Sequence, residues 1–172
     1  DIDVLASLSD KDFQKLKQLN IFNPTTGNLR VGEKYLSEFT NLTREQEAKL
    51  EKYNLLDRDN SQSSAKGFVG NINGSQVLAI LDAPKEEFQK LVDKNLFDIK
   101  VNDRLLKTDE IIALGDSEPD VINKVINILS INPEINIKEA MVISELSKED
   151  IAKIQKYNLF EEKVAPRLFS SN

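Results

Sequence analysis

Apolar positions fall along this chain in short helical stripes, and one phrase closes the stripes again and again. It reads Lys-Ile-Gln-Lys-Tyr-Asn-Leu-Phe at 153–160 and returns at 15–22, 49–56 and 90–97, with an apolar anchor at Leu16, Leu50, Leu91 and Ile154. Asn tolerates the left-handed backbone that ends a helix, because its short side chain bonds locally where a branched one would clash. Asn20, Asn54, Asn95 and Asn158 are therefore expected as structural caps, each just past a helix end. Each cap folds the next apolar residue onto its anchor: Ile21 on Leu16, Leu55 on Leu50, Leu96 on Leu91 and Leu159 on Ile154.

A second, shorter apolar stripe precedes each terminator, so the repeating unit reads helix, tight turn, helix. Val4, Leu5 and Leu8 share a face; Ser9 with Asp12 then forms a capping box that starts a helix carrying Phe13, Leu16 and Leu19. The next unit offers Tyr35, Leu36 and Phe39, the cap Thr43 with Gln46, then Leu50 and Tyr53, with Glu47 standing where the first unit has Phe13. A third has Val77, Leu78 and Leu81, Pro84 suited to a first helical turn, then Phe88 and Leu91. The fourth runs from Ile111 through Leu129 without an Asn cap; it is apolar on more than one side, which predicts the deepest burial. The fifth has Ile143 and Leu146, then Ser147 with Asp150 ahead of Ile154.

These stripes predict an all-α fold, a curved stack (solenoid or crescent) of about five helix-loop-helix repeats, since pairs this short are marginal alone and must bury their faces on neighbours. The units fall at about 2–22, 33–56, 75–97, 109–129 and 137–160 within one domain over 1–162, leaving 163–172 as a C-terminal linker or tail. Tiny β-ribbons are expected in two connectors, around the turn at 23–28 and around Asn102-Asp103. The longest connector, 57–74, is polar and Gly-rich.

Composition narrows the chemistry. A net charge of -6 argues against nucleic acid, which demands clustered cations. No apolar run is long enough to span a bilayer, so no membrane insertion of this segment is expected. The chain opens on Asp1 rather than Met, which suggests a piece of a longer polypeptide. Cys and His are both absent, which removes disulfides, thiol nucleophiles, the commonest general base and the commonest metal ligand. Asp57, Asp59 and Ser61 imitate the start of a calcium loop, but Gln62 and Phe68 occupy the positions that need Gly and Glu. Gly67, Gly70 and Gly74 lack the Lys-Ser/Thr of a phosphate loop. No catalytic residue, metal site or cofactor is expected, and the chain reads as non-enzymatic. Phe68, Val69 and Ile72, with Leu105 and Leu106, either tuck against neighbouring helices or form an exposed patch for a protein partner.

The terminators 16–22, 50–56, 91–97 and 154–160, together with an Ile-, Asn- and Lys-rich composition without Cys, resemble the helix-loop-helix repeats of the rickettsial formin-like actin-assembly autotransporter. That resemblance implies a repeat domain of a bacterial surface or secreted passenger, a virulence factor that nucleates or elongates host actin filaments, and hence actin as the protein partner. No actin-contact motif maps onto these residues. The alternative is a structural spacer or scaffold segment of a larger surface protein.

Overall fold

A computed structural model describes residues 2–58 and 72–156, and these are mostly helical. In chain order they form α1 (Ile2–Ser7) and α2 (Asp10–Gln18), then a 3-10 turn (Glu33–Tyr35) running into α3 (Leu36–Thr40), and α4 (Arg44–Lys52). α5 (Gly74–Leu81) and α6 (Lys85–Asp93) follow. A two-strand hairpin, β1 (Lys100–Val101) and β2 (Arg104–Leu105), precedes α7 (Thr108–Leu114), α8 (Pro119–Ile131), α9 (Ile137–Glu145) and α10 (Lys148–Lys156).

The helix starts follow their capping residues. Ser9 Oγ accepts the Asp12 N–H at 3.2 Å, and Thr43 with Gln46 forms a reciprocal capping box. Asn136 and Glu139 form another ahead of α9. Pro84 differs from expectation: it lies just ahead of α6, where its carbonyl accepts the Phe88 N–H at 2.9 Å. The ends are set by the asparagines. Asn20, Asn54 and Asn95 adopt φ of 56°, 51° and 55°, and each is followed by a residue whose N–H reaches back to the anchor carbonyl. Those bonds are Ile21 to Leu16 at 3.0 Å, Leu55 to Leu50 at 3.1 Å and Leu96 to Leu91 at 3.1 Å. With the asparagine N–H bonded to Lys17, Glu51 and Val92 respectively, each end is a Schellman motif. Asn158 lies outside the described residues.

Two compact units divide the chain, 1–89 and 90–172. In the first, α2 packs on α3 and α4 packs on α5. Its core gathers Leu16, Ile21, Phe39, Leu50, Leu55, Val77 and Ile80. The expected ribbon at 23–28 is reduced to a single bridge, Phe22 with Leu29. In the second unit α8 and α9 share the most extensive contact, α7 touches α9, and β1 lies along α8. Its hairpin pairs Lys100 with Leu105 and Val101 with Arg104. Asn102 and Asp103 turn it at φ of 49° and 66°, the doubly left-handed geometry that matches strand twist.

α8 corrects one expectation. It buries a single stripe of Ile122, Val125, Ile128 and Leu129 while Asn123, Lys124 and Asn127 face solvent, so it is amphipathic rather than wrapped. It ends at Asn132 in an extended conformation, without the left-handed cap.

Candidate functional site

The first connector places one cation at the end of two helices. Arg30, in the stretch that follows the first terminator, is only 4% exposed. Its guanidinium donates to the Asn20 carbonyl at 3.1 Å and to the Leu56 carbonyl at 3.0 Å, and it pairs with the Asp57 carboxylate. These carbonyls lie in the turns just past α2 and α4, near the negative ends of the helix dipoles, and the guanidinium supplies both with a donor. Arg suits the task because its planar fork offers several donors at once.

Above this guanidinium lies a cleft of about 520 Å³. One wall is the end of α2, with Gln18, Leu19 and Asn20; the other is the face of α4 that carries Arg44, Glu47, Ala48 and Glu51; Asn54, Leu56 and Asp57 complete it. The helical spacing of 44, 47, 48 and 51 puts all four on one stripe. Lys15 bridges the walls, its ammonium 2.8 Å from Glu47 and bonded at 2.7 Å to the Leu42 carbonyl. The lining is mostly polar and charged, with Leu19, Ala48, Leu50 and Leu56 as its apolar part.

Of the five residues read either as tucked against helices or as a partner-facing patch, Ile72 and Leu106 take the tucked alternative and are corrected as partner contacts: they are core, at 2% and 0% exposed. The Ile72 N–H bonds the Arg30 carbonyl at 2.7 Å, and the Leu106 N–H bonds Ile99 at 3.1 Å, so backbone pairing turns both inward. Leu105 is half-buried on β2. Phe68 and Val69 lie outside the described residues. The caps Asn20 and Asn54 do line the cleft. Reasoning from sequence missed Arg30 and its neighbours; the available signal was Glu47, the one charged residue at a register where other copies carry Phe13 and Phe88.

A second cation holds the hairpin. Arg104 makes two bonds of 2.7 Å to Glu110, itself 4% exposed, and the Lys107 N–H donates to the same carboxylate at 2.7 Å. This fork fixes the start of α7 and is already saturated. Among the described residues no group of three or more Asp or Glu converges to hold a metal, and no helix is long and apolar enough to cross a membrane. In comparisons with protein-family models, curated proteins and solved structures, the chain matches none.

Proposed function

We propose that this chain is a non-enzymatic protein-binding module in which the helix pairs stack as a solenoid and recognise a partner along their terminator edge. The observation that carries the reading is the cleft between Asn20 and Asn54, whose polar lining is exposed and whose shape is set by Arg30 from beneath. Nearest-neighbour packing, α2 on α3, α4 on α5 and α8 on α9, is the pattern a repeat array requires. Arrays of this kind bind through extended surfaces formed by successive units. The resemblance of the terminators to the rickettsial actin-assembly repeats makes actin the first partner to test, with the chain as part of a bacterial surface passenger. The experiment is co-sedimentation with filamentous actin alongside pyrene-actin assembly. Binding or altered assembly supports the reading, and a chain inert in both assays favours the spacer alternative.

A further inference from the structure

Among the described residues, Ile2, Ile112 and Val142 are the large apolar side chains left exposed, and two of the three lie on α7 and α9, which touch. The repeat register makes their position unusual. In α3 the two positions between the buried Leu36 and Phe39 are Ser37 and Glu38, both exposed. Between the buried Ile111 and Leu114 of α7 the same positions hold Ile112 and Ala113, and between the buried Ala140 and Ile143 of α9 they hold Met141 and Val142. The face that α3 gives to water is thus apolar in both of these helices. Val142 stands opposite the buried stripe of α9 and is 61% exposed.

The charges beside Val142 have an order. Lys138, Val142 and Glu145 are spaced i, i+4 and i+7, so they share one stripe, with the cation toward the helix start and the anion toward its end. Both charges are exposed, and neither is in an ion pair among the described residues. Glu139, on the other edge, already accepts the Asn136 N–H in the capping box of α9. A stripe ordered in this way is complementary to itself run backwards. A twofold axis at Val142 brings the Lys138 of each copy opposite the Glu145 of the other, whereas a parallel copy in register sets like charges side by side. We infer that this face of α9 is a self-association surface, on which a second copy of the chain docks antiparallel about Val142. Val142 and Met141 form its apolar centre, Ile112 extends the apolar surface onto α7, and the two Lys138–Glu145 pairs fix direction and register. A face this small gives a dimer that forms only at high protein concentration.

The test is sedimentation equilibrium of the full chain at about 0.15 M salt, which screens the repulsion between two copies of net charge -6. A dimer with a dissociation constant of about 100 μM is expected, and Val142→Asp should weaken it by about tenfold or more. Lys138→Glu and Glu145→Lys each place two like-charge pairs across the axis, and each should weaken the dimer by about tenfold. Mixed in equal amounts, these two charge variants are expected to regain the parent affinity as a heterodimer, because one copy then carries both anions and the other both cations. All three positions are exposed, so the variants should fold, and circular dichroism melts check that they do. A parent that stays monomeric up to about 1 mM overturns the dimer and leaves this face to a different partner. An association unchanged by Val142→Asp or by the single charge variants, or charge variants that remain apart when mixed, overturns it as well.

Discussion

An asparagine at φ near 55° is a small feature with a measurable signature. Gly pays no steric cost there, whereas a β-branched residue does. Asn95→Gly is expected to match or slightly exceed the parent in thermal stability, and Asn95→Val to fall short by about 1–2 kcal/mol in chemical denaturation. Equal midpoints for the two variants would contradict the cap. These asparagines were legible in the sequence because a cap is local: its bonds span at most five residues. Arg30 was not, because its acceptors lie 10, 26 and 27 residues away and nothing nearby hints at them. Arg30→Met is expected to cost about 2–4 kcal/mol, since hydrogen bonds from a charged donor to buried carbonyls are lost together. Arg30→Lys should recover less than half, lacking the fork. Denaturant melts of both variants provide the check.

At the scale of elements, helix starts carry the pH response. The Ser147 hydroxyl donates to the Asp150 carboxylate at 2.7 Å and accepts the Asp150 N–H at 3.1 Å. The hydroxyl bond, aided by the charge of Lys153, holds the Asp150 carboxyl below its ordinary value of 3.8. A depressed carboxylate stabilises the fold above its unfolded pKa, and that contribution disappears as pH falls through the folded one. Amide protection factors in the first turn of α10, which are corrected for the intrinsic pH dependence of exchange, should therefore fall on acidification from about pH 5 to about pH 2, and Asp150→Asn should flatten that dependence. A second element-level prediction concerns the start of α5. A Cβ on Gly74 would meet Tyr35 Cδ2 at 2.6 Å and Cγ at 3.0 Å, so Gly74→Ala should lower stability by about 1–3 kcal/mol in thermal melts. The sequence placed Gly74 in a polar loop; the close approach of a ring from 39 positions earlier is invisible there. α8 was misjudged for a related reason. Its apolar residues Val121 and Ile126 flank the buried stripe and are only half-buried, so counting apolar residues overstated its burial.

For the molecule as a whole, the mostly helical character was readable because stripes at helical spacing need no knowledge of partners. The cleft was not readable, because it arises where two separate stretches, the end of α2 and one face of α4, meet. Stability should follow the anchors. Leu16, wholly buried, and Leu50, 4% exposed, each hold the closing bond of a terminator, and truncation of either to Ala should cost about 2–5 kcal/mol. Urea unfolding measures this directly, and a cost below about 1 kcal/mol at both sites would mean that the terminators are ornaments on a core held elsewhere.

The reach of Arg30 has a consequence for how such a chain can be rearranged. Its guanidinium closes the terminator behind it and the one ahead, so a helix pair lifted out without the connector that follows leaves two neighbours unclasped. A graft or duplication that takes residues 2–32 as its cassette carries the clasp along, whereas one cut after Phe22 discards it.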